Sequence, residues 1–253
     1  MPRHLRVHLL PELTQPREPG RSIVVIIDVL RASTTIAHAL AAGIHSIVPC
    51  LEISEARERA EKNRANSQLG VLLGGERQGK PIPGFDLGNS PSEYTSDRVD
   101  GNRLMFTTTN GTRAMMRCLG AHRVLIGSFV NFSAISRSIE NAPEIELVCA
   151  GTNGEVTRED VLFAGALATR QQAIDTKLVF NDSAQLACDV WQSIGGEAVS
   201  HQGLTQQLAD TTGGRNLASI NLSADIEIAA RIDALTVVPE LFLNDWQILA
   251  ADQ

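Results

Sequence analysis

The chain has 253 residues and a formal net charge of −7 with no offsetting basic run, a balance that repels nucleic acid. Its four cysteines, at 50, 118, 149 and 188, form no C-x-x-C pair, which argues against a zinc site or a redox dithiol, and no apolar stretch approaches membrane-spanning length. Aromatics are only 4%, so Ala, Leu, Ile and Val must build the core of one α/β domain over residues 1–253 or of two closely packed subdomains. The cysteine usage and an N-terminus without an apolar signal core predict a soluble, cytoplasmic protein.

Strands and helices are expected to alternate. A strand at Leu5–Leu9 is followed by one at Ile23–Ile27, where the Val/Ile run stops at Asp28. Arg31 and the hydroxyls of Ser33, Thr34 and Thr35 come next, where a helix over Thr34–Ala42 begins and Gly43 stops it. Strands Ile47–Pro49 and Val71–Leu73 bracket a charged helix that Ser54 can cap and that runs through Asn63. The longest irregular segment, Gly74–Pro91, carries Glu76, Arg77, Asp86 and Asn89, and long loops inside compact domains are often functional. Ser90-Pro91-Ser92-Glu93 has capping-box spacing, with proline at the favoured first helical position.

Strand Leu104–Thr107 runs into Thr108-Thr109-Asn110-Gly111-Thr112 and a helix over Ala114–Leu119, ended by Gly120. Strands Val124–Gly127 and Ile145–Ala150 follow, the second entering Gly151-Thr152-Asn153-Gly154. Thr157 can cap a helix through Gln171 whose first turn holds Glu159 and Asp160. Beyond Asp182 the pattern is mostly helical, interrupted at Gly195-Gly196 and Gly213-Gly214, with a last short strand at Thr236–Val238. The order predicts a layered α/β/α fold around a mostly parallel or mixed sheet, with a largely helical C-terminal third.

Three strand ends share one chemistry. Carboxyl ends of strands are where ligands bind in open α/β sheets. A carboxylate can hold a hard cation, whereas arginine, hydroxyls and helix N-terminal N–H groups can hold an anion. Asp28 is a metal ligand or nucleophile on this reading; otherwise it caps the following helix or pairs with Arg31. Leu30 stands where an Asp-x-Asp phosphatase would have its second acid. Glu76-Arg77 after two glycines is a ligand contact or a solvated turn, and Gly84–Pro91 is turn chemistry in which Asn89 and Ser90 can also serve a ligand. Thr107–Thr112 is a neutral anion cradle without the Walker pattern, or an ordinary capped helix start. Glu159 and Asp160 are acids in a first helical turn, a position the helix dipole favours in any case. Arg31, Arg77, Arg113 and Arg158 are the cations beside these motifs. Cys149 is not a phosphatase nucleophile, because position 155, where such enzymes place arginine, is Glu.

Asp28-Val29-Leu30-Arg31-Ala32-Ser33-Thr34-Thr35, Gly75-Glu76-Arg77, Gly84 to Pro91, Thr108-Thr109-Asn110-Gly111-Thr112, Cys149-Ala150-Gly151, Glu159-Asp160, Gly214-Arg215-x-Leu217, Asp225-Ile226 and Val238-Pro239 occur in that order. The set resembles the 2-phosphosulfolactate phosphatases from about Arg21 to Pro239. The resemblance implies a magnesium-dependent hydrolysis of 2-phospho-3-sulfolactate, a step of coenzyme M biosynthesis, on an α/β fold unlike the common phosphatase types. Two departures, Ile220-Asn221 and Ala229, lie outside the strand-end motifs.

On this basis Asp28 and Glu76, with Glu159 or Asp160, are expected to anchor Mg2+, and Asp28, Arg31 and Glu76 to carry catalysis. Arg31 with Ser33 and Thr34 would hold the phosphoryl oxygens. Thr108, Thr109, Asn110, Gly111 and Thr112 would cradle phosphate or sulfonate, Arg77 or Arg113 the carboxylate, and Asn89, Ser90 and Gly151 would complete the pocket. Whether Asp28 attacks or only binds metal is open at this level. The alternatives are a phosphatase or phosphotransferase for another small 2-phospho acid, or a non-catalytic anion-binding regulator. A two-fold homodimer is the base-rate expectation for such an enzyme.

Overall fold

The structure is a computed structural model that describes residues 2–14, 21–66 and 68–251. Up to Cys149 the chain mostly alternates strand and helix: β1 (His4–His8), β2 (Ser22–Ile27), α1 (Ala32–Ala41), β3 (Ser46–Pro49), α2 (Ile53–Asn66), β4 (Val71–Arg77), β5 (Lys80–Pro81), α3 (Ser96–Val99), β6 (Arg103–Thr107), α4 (Gly111–Met116), β7 (Arg123–Gly127), α5 (Phe132–Ile139) and β8 (Glu144–Cys149). The rest is α6 (Arg158–Ile174), β9 (Val179–Phe180), α7 (Asp182–Ser193), α8 (His201–Ala209), α9 (Thr212–Ser219), α10 (Ser223–Ala229), β10 (Pro239–Phe242) and β11 (Gln247–Ala250). No helix among the described residues is long and apolar enough to cross a membrane.

All strands join one mixed sheet in the order β5-β4-β6-β3-β11-β10-β7-β2-β8-β1-β9. Every residue of β2 is buried, as expected of a central strand covered on both faces. Its side chains alternate between two clusters. Ile23, Val25 and Ile27 pack with Phe129, Leu162, Phe163, Leu167 and Trp191 of the α5–α6–α7 side. Val24 and Ile26 pack with Ile36 and Leu40 of α1, and with Ile47, Leu104, Phe106 and Ile248. Each such buried aliphatic side chain contributes roughly 1.5–3 kcal/mol relative to exposure.

The parallel strands fall into two blocks, β4-β6-β3 and β7-β2-β8-β1-β9. Between them the β10–β11 hairpin makes three successive antiparallel junctions, to β3, within itself and to β7, so the blocks run in opposite senses. In a flat sheet their carboxyl ends would lie on opposite edges. Strand twist of roughly −20 to −25° per pair accumulates to about a hundred degrees between β2 and β6. Ile26 of one block and Leu104 and Phe106 of the other belong to one hydrophobic cluster, and Gly111, past the end of β6, lies against Asp28, past the end of β2. Accumulated twist is the physical route by which such distant strand ends meet.

Several local expectations are corrected. No strand forms at Thr236–Val238; the last strands are β10, opening on Pro239, and β11. Proline is tolerated at a strand's first residue, where its missing N–H costs least. Ser90–Glu93 gives only a single 3-10 turn without a side-chain cap, because Ser90 and Glu93 bond elsewhere. Ser54 lies inside α2, which begins one residue earlier. Thr157 occupies the N-cap position of α6, but its hydroxyl donates to Asp160 Oδ2. Gly213-Gly214 does not interrupt the helical region; it forms the first turn of α9, where an added Cβ on Gly214 would strike the Leu208 carbonyl.

Candidate active site

One cavity of about 320 Å³ gathers residues from six distant segments: Asp28, Leu30 and Arg31 after β2, Glu76, Gln78 and Gly79 at the end of β4, and Asn89 from the loop before α3. Thr108, Thr109 and Asn110 come from the bend after β6, Thr152 and Asn153 from the loop after β8, and Gly213, Asn216, Leu217, Ser219 and Ile220 from α9 and its end.

The β2–α1 junction is held by its own polar groups. Asp28 Oδ1 accepts the Ala32 N–H at 3.1 Å, and the Asp28 N–H donates to Ser33 Oγ at 3.0 Å. The Thr34 hydroxyl donates to the Val29 carbonyl at 2.8 Å and that of Thr35 to the Asn89 carbonyl at 2.9 Å. These hydroxyls are buried and face backbone; they shape the bend and leave Asp28 to face the cavity. Asp28 Oδ2 lies against Gly111, where an added Cβ would stand 3.0 Å from it.

Glu76 clamps two loops. Its Oε2 accepts the Gly79 N–H at 2.6 Å and its Oε1 the Thr109 N–H at 2.8 Å. Gly79 in turn gives its carbonyl to Arg31 Nη2 at 3.0 Å. Arg31 does not pair with Asp28. Its Nη1 donates to Asp225 Oδ2 at 2.8 Å, in an ion pair whose side chains are 4% and 2% exposed. The Ser90 hydroxyl holds the other Asp225 oxygen at 2.6 Å.

The acids after β8 divide. Asp160 Oδ1 accepts the Val29 N–H at 2.9 Å, and Oδ2 accepts the Gly151 N–H at 3.1 Å and the Thr157 hydroxyl at 3.2 Å. It is thus a clasp between the ends of β2 and β8. Glu159 instead keeps a buried Oε2 with no hydrogen-bond partner, packed where the first turn of α9 approaches through Gly213.

Burial pushes the Asp28 carboxyl up to about 7; the Ala32 N–H opposes this, and the negative fields of Glu76 and Glu159 add to it while Arg31 offsets part. Burial also raises Glu159, against the Thr211 hydroxyl beside it, and raises Asp160 well above its usual range, with Asp28 and Glu159 adding. Arg31 is the one cationic side chain on the cavity wall among the described residues, and Asp225 already balances its charge. The site therefore crowds carboxyl groups whose ionised forms the chain's own cations do not offset, so they tend to keep their protons.

The residues fit a hard divalent cation only through a smaller ligand set than the sequence suggested. Among the described residues no group of three or more His, Cys, Asp or Glu side chains is arranged to hold a metal ion, so the expected set of three strand-end acids does not form. Asp160 does not line the cavity and turns its oxygens to backbone and hydroxyl donors at the strand ends, which removes it from the set, whereas Glu76, whose oxygens also accept N–H groups, stands on the wall with lone pairs to spare. Two carboxylates on the wall, Asp28 and Glu76, and the buried, partnerless amide oxygen of Asn89 remain. Magnesium takes one or two carboxylates and keeps several waters, which this set allows.

Other sequence candidates lie off the wall. Arg77 turns away, donating to the carbonyls of Glu76 and Leu51 and to the Thr107 hydroxyl. Arg113 is exposed, and Arg158 reaches Gln207. Ser33, Thr34, Ser90, Gly111, Thr112 and Gly151 support the wall from behind without lining it. What sequence reading missed is the α9 wall, the Gln78-Gly79 turn, the Thr152-Asn153 bend and the role of Asp225. The ordered Gly214-Arg215 and Asp225-Ile226 motifs were the available signal for α9 and α10.

With this geometry in place, comparison with known proteins is specific. The family model for 2-phosphosulpholactate phosphatase matches residues 8–243. A protein of Symbiobacterium thermophilum named probable 2-phosphosulfolactate phosphatase is 38% identical over 218 residues, covering 86% of this chain and 90% of its own. Proteins with the same name from Thermotoga petrophila and Clostridium beijerinckii are 34% and 32% identical, each covering 86% of this chain and 88% of its own.

Proposed function

The chain belongs to the 2-phosphosulpholactate phosphatase family, and from that premise we propose that its cavity hydrolyses 2-phospho-3-sulfolactate to 3-sulfolactate and phosphate with magnesium bound. The observation that carries this reading is that Asp28, Arg31, Glu76 and the Thr108–Asn110 bend, far apart in sequence, line one hollow.

Asp28 and Glu76 would hold the ion, with Glu159 behind them as the acid whose buried oxygen is still without a partner. When bound, magnesium supplies charge stabilisation to the phosphoryl oxygens and offsets the crowding of carboxylates. Arg31, its plane fixed by Asp225 and the Gly79 carbonyl, points the rest of its fork at the phosphoryl group. Hydrolysis splits the ester P–O bond with water, and the alkoxide leaves as the hydroxyl of sulfolactate. Asp28 stands at the reacting end, either as metal ligand or as attacking group; a trapped phosphoaspartate at this residue would mark attack.

Neutral donors make up the far wall: Thr108, Thr109, Asn110, Thr152, Asn153, Asn216 and Ser219. A sulfonate is a weak acceptor carrying a single charge, so amides and hydroxyls suit it without adding cations that would hold the product. Expected is phosphate release from racemic phosphosulfolactate that stops on chelation and returns with added Mg2+. Equal turnover with chelator removes the metal from the reading. Equal turnover of phospholactate or phosphoglycolate replaces it with a broader 2-phospho acid phosphatase.

A further inference from the structure

Arg31 lines the cavity, but the group that holds it does not. Asp225 sits in α10, reaches Arg31 Nη1 at 2.8 Å through Oδ2, and is itself fixed through Oδ1 by the Ser90 hydroxyl at 2.6 Å. Both charges are nearly inaccessible to water, at 5% exposure for Arg31 and 2% for Asp225. Arg31 Nη2 is engaged separately by the Gly79 carbonyl at 3.0 Å. A planar guanidinium gripped at both terminal nitrogens has little freedom left, and its other N–H groups keep one direction.

The pairing has an electrostatic consequence. A carboxylate at 2.8 Å cancels much of the pull that Arg31 would exert on an approaching dianion. A residue serving only to capture phosphate would do better without it. The arrangement gives up attraction and gains orientation, which matters most in the transition state. We propose that Asp225 is a positioning residue, acting through Arg31 to aim its guanidinium at the phosphoryl group; this rests on the cavity being the phosphatase site.

A double-mutant cycle tests it on the full chain, with phosphate release from phosphosulfolactate in Mg2+ as the assay. Asp225→Asn removes the charge but leaves an oxygen facing Arg31. It is expected to lower kcat about tenfold or more while KM holds or falls, since an unbalanced Arg31 binds anions at least as well. In an Arg31→Ala background the same change is expected to alter kcat/KM less than about twofold. Guanidinium added to Arg31→Ala is expected to restore part of the rate, and to restore less in Arg31→Ala/Asp225→Asn.

An equal loss in both backgrounds, no loss in the wild-type background, or equal guanidinium rescue in the single and double variants would overturn the assignment. If Asp225→Asn does not fold, Ser90→Ala loosens Asp225 without removing it. The same cycle applies to that variant, with a smaller kcat loss expected in the wild-type background and none beside Arg31→Ala; equal losses overturn the assignment here too. Undiminished turnover of Arg31→Ala alone would instead sink the reading of the cavity, and it is told apart from the other outcomes because Asp225 need not be touched to see it.

Discussion

Asp160 and Val29, 131 positions apart, are joined by a 2.9 Å hydrogen bond from the Val29 N–H to Oδ1 of the carboxyl group. The same side chain accepts the Gly151 N–H, so a single residue in the first turn of α6 sets the ends of two adjacent strands. Asp160→Ala leaves two buried N–H groups and the Thr157 hydroxyl without their acceptor. A loss of about 3 kcal/mol is expected by denaturant unfolding at unchanged m-value. A loss under about 1 kcal/mol would show that water replaces the clasp.

The two arginines of the early motifs should separate sharply. Arg31→Ala is expected to lower kcat/KM by about a hundredfold or more, the scale of removing a charged donor from a transition state. Arg77 faces the Leu51 carbonyl and Thr107, away from the cavity. Arg77→Ala is therefore expected to cost about 1 kcal/mol of stability and to leave kcat/KM within about threefold. Steady-state kinetics on both variants checks the contrast, and equal losses would return Arg77 to the wall.

The carboxyl of Asp28 gives a pH signature without metal. Its folded-state pKa, about 7, lies above the ordinary 3.8, so between those values the folded chain binds the extra proton. Stability of the chelated protein must then fall as pH rises from about 4 to about 7, by up to roughly 1.4 kcal/mol per pH unit for this group. Asp28→Asn is expected to flatten that slope, and Mg2+ to raise the wild-type melting temperature more at pH 8 than at pH 5. Thermal melts across pH, with and without the ion, measure both effects. An unchanged slope in the variant would place the titration on Glu159 or Asp160.

A Cβ on Gly213 would fall on Glu159 Oε1, so the buried Glu159 carboxyl must turn aside or α9 must move. Gly213→Ala is expected to displace the two against each other at a cost of roughly 1–3 kcal/mol. Since α9 contributes Asn216 and Ser219 to the wall, KM should rise more than kcat falls. A normal KM in a folded variant would mean that α9 does not touch substrate.

How much of this was legible follows the range of each interaction. The buried runs at Ile23–Ile27, Leu104–Thr107 and Ile145–Ala150 announced central strands, because apolar patterning and turn residues act over a few positions. The hairpin of β10 and β11 was not legible in the same way. Each strand is four residues long, and their pairing is with β7 and β3, far away in the chain.

The sequence by itself determined which residue types stand at the strand ends, and so that acids, one arginine and a run of neutral hydroxyls and amides would be available for an anion and a cation. It could not determine where those side chains point. Asp28 and Glu76 reach the cavity while Arg77 turns aside, Ser33 and Thr34 are consumed by the bend, and Asp160 is a clasp where Glu159 keeps a free oxygen. Those outcomes depend on partners brought near by the twist of the sheet and the return of α9 and α10. A hydrogen bond or ion pair is decided by a few tenths of an ångström between groups as distant in the chain as Arg31 and Asp225, 194 positions apart.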